Sequence, residues 1–495
     1  MKKYFFVAVL LFPLLVNSQG MVDALRFSFT QLNGTARAGG MGNAFGALGG
    51  DFTGIGINPA GIGIYRSGEL VFTPTFGKVS VDGTYLNSVA NESKYNFSLS
   101  NIGYVAVLGN KSGEGAGLVC VNLGVGYNRL KDFNQNWLIA GKNSGSSFLD
   151  HIVDNANNNN WSDFYEELAW DADVLIFDDV AKEYFSDLNN NGYGHSQRKM
   201  METRGAIDEY SFTVGLNFNH RLYVGASLGI QDIYYKEISQ LFEQDVNNKI
   251  AYFDDMEFRT NLRTSGTGYN GKVGVIFRPT NSLRFGASFQ TPTFFRLHDA
   301  FDTEMITNLT YKDGTGNYDK LSPVLEYDYD LETPLRATLS GALLIGKKGL
   351  VSADYEIVDY SSAKLRNGGD GEMFYYENQD IAEAYKAVGN IRIGGEYKMN
   401  DVISVRAGYQ LYGSAYKDQA FEANQPNSDA SLSILSAGIG YKQGGFSFDV
   451  AYRYNFITEY NLPYPSPQSA YLPAPTMAKF DTKNNQVMFS LGFRF

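Results

Sequence analysis

From residue 67 to its last residue, the chain alternates apolar and polar positions in segments of about ten residues or more. In the last segment one face carries Val487, Phe489, Leu491, Phe493 and Phe495. Successive side chains of a β-strand point to opposite faces, so a period of two predicts strands. The pattern predicts about fourteen of them, at about 69–80, 94–108, 115–129, 207–219, 221–235, 257–279, 282–296, 334–346, 349–361, 387–399, 402–415, 431–443, 445–458 and 484–495.

The connections between the predicted strands differ in length. Short connections are expected at 219–221, 279–281, 346–349, 400–401 and 443–445, and long ones at about 130–206, 236–256, 297–333, 362–386, 416–430 and 459–483. Short turns on one side and long loops on the other, with an even number of strands, are typical of bacterial outer-membrane barrels. Residues 67–495 are therefore predicted to form an all-β, transmembrane antiparallel β-barrel in the outer membrane of a Gram-negative bacterium.

The two faces of the predicted strands differ in polarity. The apolar face, which suits lipid, includes Tyr210, Phe212, Val214, Leu339 and Leu343. The residues expected to point into the lumen are Arg284, Arg336, Arg392, Arg406, Arg453, Asp354, Glu356, Glu396 and Asp449. A guanidinium offers two parallel donors to a carboxylate, so Arg284, Arg336, Arg392 and Arg406 are candidate ligand-binding residues. Pairing with the acids of the lumen is the alternative role.

The first twenty residues, MKKYFFVAVLLFPLLVNSQG, have the features of an export signal. Lys2 and Lys3 form a positively charged n-region, and Phe5–Val16 forms an apolar h-region. Cleavage is expected in the polar segment that follows. We assign residues 1–19 to a signal peptide. Cys120 is the single cysteine, so neither a disulfide framework nor a thiolate metal cluster is expected.

Residues 20–66 lie between this signal and the first predicted strand, and Asn33–Arg66 is rich in glycine. Glycine tolerates positive φ and close approach of another backbone, and Pro59 fixes a turn. These properties predict a compact hatch that plugs the lumen, with a flexible linker as the alternative. The candidate hatch or gate residues are Gly39, Gly40, Gly42, Asn58, Pro59, Ala60 and Gly61.

The composition supports a single large barrel. The chain has 495 residues, of which 15% are aromatic and 19% are charged. Its net charge of −12 excludes the usual nucleic-acid-binding proteins, which carry a basic surface. After residue 20 no run of 18 apolar residues occurs, so no transmembrane helix is predicted in the mature chain.

The insertion at 130–206, predicted to be extracellular, contains two segments with helical spacing of apolar residues. The first is Phe148–Val153, and in the second Ser162 is placed to cap a helix. Phe164, Tyr165 and Leu168 then share one apolar face, which predicts a groove that captures hydrophobic ligands. Packing of the two helices against each other and the barrel rim is the alternative.

No motif in the chain points to catalysis. The segment Asp187–Gly192 copies the start of a calcium loop, but Arg198 occupies the position that requires glutamate, which favours a simple turn. The histidines His151, His195, His220 and His298 have no metal-site spacing. The chain also lacks a nucleophile-elbow motif. We therefore predict no enzyme, no cofactor and no metal.

The glycine-rich segment resembles the FadL/TodX-like family of outer-membrane transporters for fatty acids and other hydrophobic compounds. The resemblance rests on Gly34–Phe45, on Asn58-Pro59-Ala60-Gly61, on Thr333-Pro334-Leu335-Arg336 and on the terminal Phe495. It implies a fourteen-stranded barrel, an N-terminal hatch and a ligand route from the outer loops into the lumen. In that family substrate is thought to leave sideways through a gap in the wall. The long acidic insertion departs from the family pattern.

The expected function is passive transport of hydrophobic small molecules, with long-chain fatty acids as the expected cargo. The expected partners are such a ligand, outer-membrane lipid and the barrel-assembly machinery during biogenesis, and the protein is expected to be a monomer. Two alternatives remain at this point. One is a secretion or assembly barrel that binds protein partners, and the other is a haem-uptake receptor that uses loop histidines or tyrosines.

Overall fold

The structure is a computed structural model that describes residues 19–108, 117–371, 373–418 and 426–495. Residues 1–18 lie outside the described residues, so the signal peptide stays a prediction. The described residues form the α-helices α1 (Gln19–Ser28), α2 (Ala36–Gly40), α3 (Phe52–Ile57), α4 (Phe148–Asn157), α5 (Glu166–Asp171), α6 (Asp187–Asn191) and α7 (Tyr375–Ala384). Short 3-10 helices occur at Pro59–Ile64, Tyr360–Ser362 and Pro426–Asp429.

The strands are β1 (Glu69–Tyr85), β2 (Ser88–Leu108), β3 (Leu118–Asp132), β4 (Gln135–Gly141), β5 (Ile176–Asp178), β6 (Glu183–Phe185), β7 (Ser196–Phe218), β8 (Leu222–Gln244), β9 (Tyr252–Phe277), β10 (Leu283–Gln290), β11 (Phe294–Tyr311), β12 (Gly314–Leu321), β13 (Leu325–Glu332), β14 (Arg336–Ile345), β15 (Gly349–Asp359), β16 (Lys364–Arg366), β17 (Ala387–Lys398), β18 (Ile403–Tyr412), β19 (Leu432–Gln443), β20 (Phe446–Asn461) and β21 (Ala478–Arg494).

All strands except β5 and β6 belong to one 19-stranded sheet. We call each strand that spans the barrel wall a stave. Three staves consist of two consecutive strands each, namely β3 with β4, β10 with β11 and β13 with β14, while β12 and β16 extend the rim. Fourteen staves remain, which confirms the predicted barrel. The sheet closes because β1 pairs with β21, from Glu69 opposite Arg494 to Thr84 opposite Lys479. This closure pairs the edges of the first and last strands, which lipid could not satisfy by hydrogen bonding.

The predicted short turns are confirmed, for example between Phe218 and Leu222 and between Gln443 and Phe446. Two of the predicted long loops, at 236–256 and 297–333, are wrong because they consist largely of strand. Strands β8 and β9 approach to Gln244 and Tyr252, and β11, β12 and β13 occupy most of 297–333. Beyond the lipid the alternation of polarity ends, although backbone pairing continues. There, cross-strand ion pairs such as Arg259–Glu304 (2.7 Å) replace apolar contacts.

The predicted strand 282–296 is also interrupted, at residues 291–293. Pro292 cannot donate a ladder hydrogen bond, so the stave bends there. The neighbouring stave breaks at the same level, where the Thr333 amide donates to the Thr293 carbonyl at 3.0 Å. The wall therefore stays closed across the bend.

The orientation of the strands agrees with the predicted faces. The outward side chains of Tyr210, Phe212, Val214, Leu339 and Leu343 are exposed, as lipid-facing residues should be. Among the described residues, no helix has the length and hydropathy of a membrane span.

Candidate functional site

The glycine-rich segment folds into a compact hatch inside the barrel. Thr35 caps α2 by accepting from the Ala38 amide, and its hydroxyl donates to Asp51 Oδ1 at 2.8 Å. Asp51 in turn caps α3 by accepting from the Thr53 amide at 3.0 Å. These caps satisfy amides that short helices cannot pair internally. The predicted plug is therefore present, and its backbone conformation is held by its own side chains.

The Asn58-Pro59-Ala60 motif links the hatch to the wall. Asn58 Oδ1 accepts from the Ala60 amide at 3.1 Å and so caps the 3-10 helix, in which Pro59 occupies the first position and lacks an amide to satisfy. The Asn58 side-chain amide donates to the carbonyl of Gly46 at 2.8 Å and to that of Val275 in β9 at 3.1 Å. One side chain thus caps a turn, joins two parts of the hatch and ties both to the barrel.

Pairs of glycines on neighbouring wall strands leave space for the hatch backbone to approach closely, and we call each such pair a seat. Gly394 in β17 lies directly opposite Gly408 in β18. A Cβ atom at Gly394 would overlap the Met41 carbonyl, and one at Gly408 would overlap the Gly42 amide. Gly42 itself has φ of +60°, a conformation that favours glycine. The predicted gate residue Gly42 therefore rests on a pair of wall glycines that are not among the predicted gate residues.

A second seat receives the Asn58-Pro59 turn. Gly225 in β8 lies opposite Gly274 in β9. A Cβ atom at Gly225 would overlap the Pro59 carbonyl carbon, and one at Gly274 would overlap Asn58 Oδ1. The signal for both seats was present in the sequence, as glycines at inward positions of neighbouring strands. Only the register, however, shows which of these glycines meet.

The four predicted ligand-binding arginines all contact groups of the protein. Arg392 lies 3.4 Å from Glu356, and Arg406 lies 2.7 Å from Glu396 and 2.6 Å from Asp449. The other two arginines reach the N-terminal segment. Arg336 donates to the Ser28 carbonyl and lies 3.3 Å from Glu356, while Arg284 donates to the Leu48 carbonyl of the hatch. These contacts anchor the hatch and neutralise the lumen acids.

Above the hatch, toward the long loops, helix α1 lies inside the barrel. Its Met21, Ala24 and Phe27 side chains are buried in an apolar cluster that we call the upper lumen. The wall of the upper lumen is formed by Ile207, Ile233, Tyr235, Leu262, Phe295, Leu297, Phe301, Tyr329 and Leu331. Helix α7 of an outer loop covers it through Ile381 and Ala384. Lys131 donates to the Arg26 carbonyl at 2.8 Å, which places a cation at the C-terminal end of α1.

Helix α1 also buries a charged group in this apolar region. Asp23 accepts a hydrogen bond from Arg26, and Arg26 lies 3.4 Å from Glu237 in β8. Burial raises the pKa of Asp23 to about 7, against the lowering effect of Arg26, and the neighbouring Asp299 and Glu237 carboxylates add to the rise. A carboxyl group that is harder to ionise in the docked helix links docking to pH.

Docking of α1 is therefore expected to weaken as pH rises from about 4 to about 7, because the docked carboxyl group holds its proton more tightly than a free one. The expected change is roughly tenfold per pH unit between about pH 5 and pH 6, where the free carboxyl group is ionised and the docked one is still protonated. Hydrogen exchange of residues 19–32, compared between pH 5.5 and pH 8.5, measures it. Asp23→Asn should remove most of the difference, and an undiminished difference in that variant would refute the role of Asp23.

The extracellular insertion forms a cap over the barrel. The predicted helical segment Phe148–Val153 lies in α4, which begins at Phe148 and has Ser147 as its N-cap. The second helix begins at Glu166, one turn later than predicted from Ser162. Ser162 instead closes a turn, in which its hydroxyl accepts from the Phe164 amide at 3.1 Å. The predicted cap position was wrong because this local turn satisfies the amide before the helix starts.

The candidate capture residues lie at the inner side of this cap. Leu168 is buried among residues of α4 and the rim strands. Phe164 packs against Phe301, and Tyr165 packs against Phe258, each with 5.6 Å between ring centroids. Phe164 and Tyr165 are only partly buried and also contact the upper lumen. They therefore form its roof, while Leu168 belongs to the interior of the cap.

The barrel wall is interrupted between β2 and β3. Their pairing runs from Asn101 opposite Asn128 to Leu108 opposite Val121. Beyond Asn101 the described part of β2 pairs with β1, whereas the stave of β3 and β4 follows β7. Side chains span the interruption, with Lys94 2.8 Å from Glu202. The aromatic side chain of Phe97 beside it is exposed on the lipid face.

The remaining sequence motifs have local partners. The calcium-like segment forms α6, in which the Asn191 amide donates to Asp187 at 3.2 Å. His195 is buried 3.7 Å from Glu243, and His298 lies 2.8 Å from Asp328. Within the described ranges, no group of three His, Cys, Asp or Glu side chains is arranged to hold a metal ion.

Comparison with known proteins agrees with this architecture. The sequence model of the outer membrane protein transport protein family (OMPP1/FadL/TodX) matches residues 204–495. A sequence comparison with curated proteins gave no match. Among solved structures, a Pseudomonas aeruginosa FadL homologue aligns with 94% of this chain and 99% of its own at 13% identity and a TM-score of 0.59.

The toluene transporter TodX of P. putida aligns over 94% of this chain and 99% of its own, at 14% identity and a TM-score of 0.51. At these identities the structural likeness shows the fold, and the family follows from the sequence match. The family is one of transport proteins rather than enzymes. The chain therefore belongs to the outer membrane protein transport protein family (OMPP1/FadL/TodX) and is an outer-membrane transport barrel.

Proposed function

We propose that this protein passively imports hydrophobic small molecules, with long-chain fatty acids as the cargo. Ligands are captured at the outer cap, enter the upper lumen and pass through a barrel that the hatch gates. Family membership supports transport across the outer membrane. The assignment to fatty acids rests on the chemistry of the upper lumen, which has an apolar lining and has Arg336 at the C-terminal end of α1.

The proposal rests on the observation that helix α1 occupies the upper lumen. The apolar face of α1 fills it with Met21, Ala24 and Phe27, which lose nearly all contact with water. Burial of Met21 and of Phe27 is each worth about 1.5–3 kcal/mol of transfer free energy. A cavity wall that binds an apolar helix face this well also suits an alkyl chain, so ligand and helix would compete for the same wall.

Phe164 and Tyr165 supply the capture step in this proposal, because they join the cap to the upper lumen. Changing both to Ser is expected to reduce uptake roughly tenfold, since two partly buried aromatic contacts with the ligand are lost. Uptake of radiolabelled palmitate is measured in Gram-negative cells that lack their own fatty-acid channel. The matched control is Tyr471→Ser, which alters an outer-loop aromatic residue that is 98% exposed. Wild-type uptake by the double variant at equal surface level would contradict a capture role.

In this proposal the ligand leaves the upper lumen by one of two routes. An axial route requires the hatch to move, whereas a lateral route would pass between β2 and β3, where their pairing ends at Asn101, and would leave the hatch in place. Conductance of planar bilayers distinguishes them when palmitate is added. A rise in conductance identifies the hatch as the moving gate. Uptake by the same protein at unchanged conductance assigns release to the lateral route between β2 and β3.

A further inference from the structure

Arg453 in β20 differs from the other arginines of the lumen. Its side chain is fully buried, with 0% of its surface exposed, and it lies between Ser436 of β19 and Gln486 of β21 in the sheet. Nη1 donates to Asn33 Oδ1 at 3.1 Å. Nε and Nη2 have no hydrogen-bond partner among the described residues. A buried guanidinium with two unused donors is costly unless another group satisfies it.

The unused donors are the two that best suit a carboxylate. Nε and Nη2 lie on one edge of the planar guanidinium and can donate in parallel to the two oxygens of one anion. Arg392 and Arg406 already use lumen acids as partners. No ion pair within the described residues includes Arg453. Its charge is therefore available to an anion from outside the protein.

The wall beside Arg453 carries polar side chains, and the charged pair of Arg392 with Glu356 lies opposite Gln410 of β18. One row further outward, Asn455 of β20 faces Ile434 of β19, which faces Gln410 of β18. Gln410 is fully buried, and its Nε2 lacks a partner within the described ranges, so it is a further donor on this stretch of wall. A guanidinium with two free donors, together with a side-chain amide donor on the same stretch of wall, can bind a carboxylate.

The position of Arg453 along the barrel axis completes the site. On its inner side lies the hatch, because a Cβ atom at Gly39 of α2 would be 3.6 Å from Arg453 Cδ. On its outer side lies an apolar cluster of Tyr412, Leu432 and Ile434, against which Phe29 packs with 5.9 Å between its ring and that of Tyr412. Arg453 thus lies at the floor of the upper lumen, directly above the hatch.

We propose that Arg453, assisted by Gln410, anchors the carboxylate head group of an amphiphilic ligand whose alkyl chain extends outward into the upper lumen. The alkyl chain takes the place of Phe29 and the apolar face of α1. The head group then meets the Nε and Nη2 donors just above α2. This inference rests on the proposed function and adds the orientation of the ligand and the residue that selects an acid.

The test compares two ligands of equal length that differ in head group. Binding of radiolabelled palmitate and of 1-hexadecanol is measured at pH 8 to the full barrel in lipid nanodiscs. The wild type should bind palmitate at least tenfold more tightly than the alcohol. Arg453→Gln should lose that preference while its affinity for the alcohol stays unchanged. The matched control is Arg221→Gln, which removes the same charge from an exposed turn and should keep the preference.

A second variant tests the same role of Arg453 in case Arg453→Gln folds poorly. Gln410→Glu keeps Arg453 and adds a carboxylate to the neighbouring row, which should also abolish the preference for palmitate. A wild-type barrel that binds both ligands equally, or two folded variants that retain the preference, would overturn the role of Arg453 while leaving hydrophobic transport intact. A wild-type barrel that binds neither ligand would overturn the proposed function together with this inference.

Discussion

Deletion of Gly39–Ala60 is expected to produce a folded barrel with a permanently open pore. The barrel closes through β1 and β21, whose pairing does not involve the deleted residues. The wall groups that hold the hatch, such as Asp354 and Ser288, face the lumen and would be hydrated when the hatch is removed. Single-channel conductance in planar bilayers should therefore rise well above that of the wild type.

Heat-modifiable migration of the purified protein serves as the folding control for this deletion. A milder variant, Pro59→Gly, frees the turn and costs about 0.4–1 kcal/mol through the unfolded state. This loss should leave the barrel folded and shift the balance between closed and open hatch severalfold. Conductance of the deletion variant equal to that of the wild type would show that the segment does not plug the pore.

Filling a wall seat is expected to displace the hatch without altering it. In Gly394→Val the new side chain would occupy the space of the Met41 carbonyl. Overpacking of a closely packed site typically costs about 1–3 kcal/mol, which corresponds to a shift of roughly 5- to 150-fold in the hatch equilibrium. Conductance should rise, and hatch residues should become accessible to protease.

The matched control is Gly341→Val in β14. It makes the same substitution in a barrel strand, at a glycine where an added Cβ atom would meet no heavy atom within 4 Å. This control should conduct as the wild type does. Equal conductance of Gly394→Val and Gly341→Val would mean that the hatch does not depend on close contact at the Gly394–Gly408 seat.

The sequence alone determined the barrel, the number of its staves, the faces of its strands and the location of the hatch. These features follow from local periodicity, because a strand in lipid must alternate its side chains and a plug that packs close to a wall needs glycine. The alternation around Phe212 and Val487 was sufficient to predict which side meets lipid. The rim strands were missed because, beyond the lipid, no apolar face is required and the periodicity ends.

The partners across the lumen were decided by the tertiary structure. Arg284, Arg392, Arg406 and Arg453 are alike in sequence, as single cations on an inward strand face. Their partners depend on the register of neighbouring strands and on the position of the hatch. Arg284 donates to a backbone carbonyl, and Arg392 and Arg406 pair with acids. Two donors of Arg453 have no partner within the described residues. The same holds for the wall glycines and for α1, whose place in the upper lumen depends on contacts between residues far apart in the chain. Such contacts leave no local period in the sequence, because they satisfy charge and volume in three dimensions rather than along one strand.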